Sequence, residues 1–102
     1  MKRIAWSEEA RAELRQIIIR ISDDNPFAGE RVSKRIRDAV AKLRYFNSGR
    51  TGRVEGTFEK LVPKTPYIIA YVVRRTTSGR EDVFIVHIIH AARDWPEGQW
   101  PG

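Results

Sequence analysis

The chain has 102 residues, 41% of them hydrophobic and 31% charged, with a formal net charge of +6. That is the size of one domain, apolar enough to bury a core, and the absence of cysteine removes disulfide scaffolding and thiolate chemistry. The longest apolar run, VFIVHIIHAA at 83–92, is half the roughly 20 residues of a membrane span, and the opening MKRIAWSEEA lacks a signal peptide's apolar segment, so a soluble cytoplasmic protein is expected.

Residues 2–6 read as a short strand, stopped by Ser7. Ser7 is a good helix N-cap, and Glu8 and Glu9 follow where the helix dipole favours negative charge. Ala10, Leu14, Ile17, Ile18 and Ile21 then recur at helical spacing, until SDDNP ends the run. Asn25 caps a second helix with Pro26 in its first turn, and Val32, Ile36, Ala39, Val40 and Leu43 form its apolar stripe. Two amphipathic helices with so short a connection predict an antiparallel hairpin. Basic charge concentrates from 31 to 53, where Arg31, Lys34, Arg35, Arg37, Lys42, Arg44, Arg50 and Arg53 face Asp38 alone. A field of one sign suits an acidic partner, nucleic acid or protein, although a solvated helix face carries the same pattern.

After NSGR at 47–50 the chain becomes strand-like. RVEGT and FEKLV predict two short strands; Gly49 and Gly52 suit turns needing positive φ, and Gly56 suits a bend. PKTP precedes YIIAYVVRR, apolar on both faces as a central strand should be, and TTSG separates it from a second such run, VFIVHII. The expected fold is α+β in the order β-α-α-β-β-β-β, one domain over 1–102 with 90–102 as a tail. Its sheet is twisted and mainly antiparallel, with the helical hairpin over one face.

Few residues are suited to chemistry. His87 alternates with Val83, Ile85 and Ile89 and reads as a core histidine, whereas His90 lies at the strand's end beside Arg93. Two histidines without a matched carboxylate set define no metal site, no cofactor motif is present, and no G-x-S-x-G occurs. Arg50, Arg53, Arg74 and Arg93 lie at strand ends or loops, where guanidinium groups could meet phosphate, with His90 as acid or base and Glu55 or Glu59 as its partner. The alternative is that these arginines pair with surface carboxylates. Tyr67 and Tyr71 share a strand face and read as core, while Trp95 and Trp100 can pin the tail onto the body or a partner.

GRTGRVEGTFEKLV, PYIIAYVV and VHIIHAARDWP, in that order, resemble the RelE/ParE superfamily of bacterial toxins, closest to its ParE branch; WSEEARAELRQI and NPFAGERV resemble that family's two helices. The resemblance implies the toxin of a type II toxin–antitoxin module, partnered by an acidic ParD-like antitoxin and inhibiting DNA gyrase. The alternative it implies is a RelE-like nuclease cutting mRNA in the ribosome, with Arg53, Arg74 and His90 as the catalytic set; against that, no tyrosine follows Tyr71. Arg50, Arg53, His90, Arg93 and Trp95 are the expected target-facing residues. An antitoxin is expected to bury the helix stripes and a sheet edge, touching Leu14, Ile18, Arg31, Arg35 and Tyr71.

Overall fold

A computed structural model describes residues 1–101. The element order is β1 (Arg3–Trp6), α1 (Glu8–Asp24), α2 (Pro26–Lys42), β2 (Arg50–Thr51), β3 (Phe58–Leu61), β4 (Tyr67–Arg75) and β5 (Glu81–His90). The strands form one sheet in the order β1-β5-β4-β3-β2. The meander from β2 to β5 is antiparallel, and β1 joins β5 in parallel, so the sheet is mixed.

Local chemistry fixes the helix ends. The Ser7 hydroxyl accepts from the Ala10 N–H at 2.9 Å and donates to the Val86 carbonyl at 2.7 Å, while the Ser7 N–H reaches the Ile85 carbonyl at 2.8 Å. One residue thus caps α1 and anchors it beside β5. Asn25 serves both helices: its N–H closes α1 on Ile21 at 2.9 Å, and its side chain accepts from Phe27 and Ala28 at the start of α2. The helices approach closely at buried Gly29, where a Cβ would collide with the Ser22 hydroxyl.

The core lies between the hairpin and one sheet face. Ile36 and Leu43 from the helical side meet Ile69, Tyr71, Val83 and Ile85 from the two central strands, all at or below 1% exposure. The helix stripes are used inward, with Ala10, Ile17, Ala39 and Val40 buried and Leu14, Ile21 and Val32 packed against the core. They therefore offer a partner only their margins, contrary to the expectation that it would bury them.

Three local expectations are corrected. Val86 has no partner on β4, because Ala70 pairs with His87 but Tyr71 pairs with Ile85. This β-bulge shifts the alternation, keeping Ile88 with Val83 and Ile85 on the helical side and turning His87 away from the core to partial exposure. RVEGT is not a strand: the Glu59 carboxylate takes the Arg53 N–H at 2.8 Å, and residues 52–57 form a turn closed by Gly52 N–H to the Thr57 carbonyl. Gly56 has φ of 81°, but Gly49 and Gly52 are not in the positive-φ region. Gly49 is required by space instead, since a Cβ there would lie 2.8 Å from Tyr71 Cε1 and 2.9 Å from the Glu59 carbonyl.

Candidate functional site

On the sheet face away from the helices, Ile68, Ala70 and Ile89 are buried although they lie outside the helix-side core. The C-terminal segment turns back there. The Ala91 N–H donates to the Pro66 carbonyl at 2.7 Å, and the Ala92 N–H to His90 Nδ1 at 3.0 Å. Trp95 then stacks on Arg53, whose guanidinium carbon lies 4.0 Å from the ring centroid, and Trp100 meets His87 edge-on at 4.7 Å. Both indoles hold down the tail, as one reading of the sequence expected.

On this face Glu59 of β3 lies opposite Ala70 in register, with its side chain 2% exposed. Besides the Arg53 N–H it meets Arg50 Nη2 and Arg53 Nε, each at 3.5 Å. A carboxylate removed from water needs such partners, so Glu59 orients both arginines. They border a hollow of about 330 Å³ that also receives Lys60, leaving the cluster with net positive charge.

His90 points to the other face. It is paired with Tyr67, packs edge-on against that ring at 5.3 Å, and lines a hollow of about 260 Å³ with Glu13, Gln16, Arg20 and Arg93. Glu13 also accepts the Ile88 N–H at 3.0 Å and meets His87 Nδ1 at 3.2 Å, so α1 covers the edge of β5 beyond the end of β1. Nothing in the sequence marks Glu13 for this role, because its partners are more than seventy residues away.

Of the five expected target-facing residues, Arg50, Arg53 and Trp95 gather around Glu59, while His90 and Arg93 lie at the helix-side hollow. Arg74 is elsewhere: it lies opposite Asp82, with its guanidinium 5.1 Å from the Phe84 ring. His90 is opposite Tyr67, seven residues back along β4, which at 3.3 Å per residue is about 23 Å away. Arg53, Arg74 and His90 are therefore not brought to one point. Among the described residues no group of three or more His, Asp or Glu side chains is placed to hold a metal ion.

The expected antitoxin contacts are also divided. Leu14 lines a groove of about 540 Å³ floored by Ile4, Trp6 and Val40, with Arg11, Arg37 and Arg44 at its rim. Ile18 is half-buried, Arg31 is exposed, and Arg35 reaches the Lys64 carbonyl at 3.5 Å. Tyr71 is fully buried and unavailable as a surface contact. Its hydroxyl donates to Asn47 Oδ1 at 2.6 Å and accepts from the Gly49 N–H at 2.9 Å. Burial pushes the phenol pKa above its ordinary value, partly offset by the Gly49 N–H.

The two-helix, five-strand fold with its arginine-rich sheet face defines a small basic protein built around a hairpin-covered mixed sheet. A family model described as the ParE toxin of the type II toxin–antitoxin system parDE matches residues 4–95, and the chain belongs to that family. It is 40% identical over 97 residues to Y4kP, a toxin candidate of Sinorhizobium fredii (strain NBRC 101917 / NGR234), covering 94% of this chain and 95% of the relative. Toxin RelE2 of Caulobacter vibrioides is 35% identical over 94 residues, covering 91% of this chain and 99% of that one. Among solved structures, the chromosomal ParDE TA system from P. aeruginosa superposes with a TM-score of 0.76 at 20% identity, over 88% of this chain and 96% of that one. The chain is thus a ParE/RelE-like toxin of a type II toxin–antitoxin system.

Proposed function

We propose that this toxin inhibits DNA gyrase, acts in the cytoplasm, and is neutralised by a ParD-like antitoxin. The observation that carries the reading is the family match across 4–95 to the toxin of parDE. The geometry supports it. Cleaving RNA needs a proton-transfer group and cations within hydrogen-bond reach of one phosphate. Arg74 and His90 lie at opposite ends of the β4–β5 ladder, and His90 Nδ1 already accepts a backbone N–H. Contact with a protein target has no such requirement, and the His90 end of the sheet presents Arg50, Arg53, Arg93 and Trp95 around the turn of the tail. The groove at Leu14, apolar on its floor and basic at its rim, suits an acidic amphipathic antitoxin segment.

The test is a cleavage assay with purified gyrase, supercoiled plasmid and ATP. Linear DNA trapped by gyrase is the expected product, and an Arg93→Glu variant that remains folded should form less of it. The relative named Toxin RelE2 keeps mRNA cleavage as the second reading. No trapped DNA at stoichiometric excess of folded toxin, with mRNA cut in a ribosome assay and protected by His90→Ala, would replace the gyrase reading with that one.

A further inference from the structure

At the far end of the sheet from His90, four elements bring cations to one hollow of about 400 Å³. Lys2 precedes β1, Arg44 follows α2, Arg75 ends β4 and Arg80 precedes β5. Among the described residues Glu81 is the one carboxylate in the lining. Among the described residues Lys2, Arg44 and Arg75 form no ion pair; Arg80 meets Asp82 at 3.4 Å. The walls are anchored. Lys2 N–H donates to the Arg44 carbonyl at 3.1 Å, tying the entry of β1 to the exit of α2. The β4–β5 turn is closed by Thr76 N–H to the Arg80 carbonyl at 2.6 Å and by Arg80 N–H to the Thr76 hydroxyl at 3.2 Å.

We infer that this hollow is a phosphate-binding site that takes the backbone of duplex DNA. The neighbouring groove has an apolar floor, but here the apolar contribution is Met1 and Tyr45, whose hydroxyl is directed at the Met1 sulfur at 3.4 Å. A ligand that fits must therefore bring negative charge rather than apolar surface, which disfavours an amphipathic peptide. Guanidinium forks match phosphate oxygens, and unpaired cations gain most from the counterions released when they neutralise a backbone. Single strands are held by aromatic platforms as well as cations, and the lining has Tyr45 alone for that purpose. The site stands independently of the gyrase reading.

The test measures fluorescence anisotropy of a labelled 20-base-pair duplex of arbitrary sequence, titrated with the full chain between about 50 and 200 mM salt. A variant with Arg44→Gln, Arg75→Gln and Arg80→Gln is compared with a control that loses the same charge from exposed helix positions, Arg15→Gln, Lys34→Gln and Lys42→Gln. The hollow variant should bind at least about tenfold more weakly and flatten the dependence of log K on log salt by about 2–3, while the control stays within about threefold of the parent. Equal losses in the two variants would reduce the effect to bulk charge and overturn the site, as would a parent that binds no duplex at 50 mM salt. Single-stranded RNA of equal length and a poly-glutamate peptide are added as competitors; either one displacing the duplex at lower concentration than unlabelled duplex overturns the DNA assignment. Circular dichroism checks folding, and if the triple variant is unfolded, the single Arg44→Gln and Arg75→Gln variants decide, each expected to weaken binding about two- to fivefold.

Discussion

The Tyr71 hydroxyl clasps the loop before β2 to the centre of the sheet, and Tyr71→Phe tests how much that clasp contributes. The ring stays in place, stacked on Phe58 at 5.5 Å between centroids, so apolar burial changes little. What is lost is the bond to Asn47 Oδ1 and, more costly, the acceptor for the partly buried Gly49 N–H. Leaving a buried donor unmet costs about 1–3 kcal/mol, whereas an ordinary exchanged hydrogen bond is worth about 1. For a domain of this size, each 1 kcal/mol shifts Tm by about 4–8 °C. Urea denaturation at pH 7 should show a lower midpoint with an unchanged slope. The pH dependence carries a second sign. The folded-state phenol pKa is raised, chiefly by burial, above an unfolded value of about 10, so the neutral form binds its proton more tightly when folded. That contribution is complete below about pH 10 and disappears as pH rises through the folded pKa. The parent should therefore lose more stability than the Phe variant as pH rises above about 10. Equal midpoints at pH 7, or parallel losses at high pH, would refute the clasp.

Two further predictions concern packing and charge. Glu59→Ala strips the Arg53 backbone N–H of its acceptor and both arginines of their carboxylate, and should cost about 1.5–3 kcal/mol, less for Glu59→Gln, which keeps an acceptor; thermal melts showing the Gln variant as the less stable would contradict this account. At Gly29 an added Cβ meets Ser22 Cβ at 3.1 Å and the Ile18 carbonyl at 3.2 Å, besides colliding with the Ser22 hydroxyl. Overpacking of about 1–3 kcal/mol then outweighs the gain of up to about 1 kcal/mol from alanine's helix propensity, so Gly29→Ala should destabilise. Adding Ser22→Ala should recover part of the loss, and a double variant no more stable than Gly29→Ala in urea would place the strain elsewhere.

Much of the fold was legible because its signals are local. Ser7 and Asn25 cap helices wherever the chain goes next, and the stripes of α1 and α2 repeat within a few turns. Two runs apolar on both faces could only be central strands, and β4 and β5 are central. The three motifs carried the family, since each preserves a spacing along the chain. The bulge at Val86 escaped, because alternation in β5 is set by register against β4 and not by the order of its own residues. Gly49 was read for backbone freedom when its requirement is the ring of Tyr71, which packs across it from 22 residues away.

The sequence by itself determined the helical hairpin, the two central strands that follow it, the excess of positive charge and the toxin family. Only the tertiary structure decided that β1 joins β5 in parallel, that Glu59 gathers Arg50 and Arg53 beneath Trp95, and that Arg74 and His90 lie at opposite ends of a ladder. It also decided that Lys2, Arg44, Arg75 and Arg80 share one hollow. The division has a physical origin. Capping and amphipathic periodicity act over one or two turns of chain, whereas side chains from distant segments converge only once sheet register and the crossing of two helices have been fixed by burial of the common core.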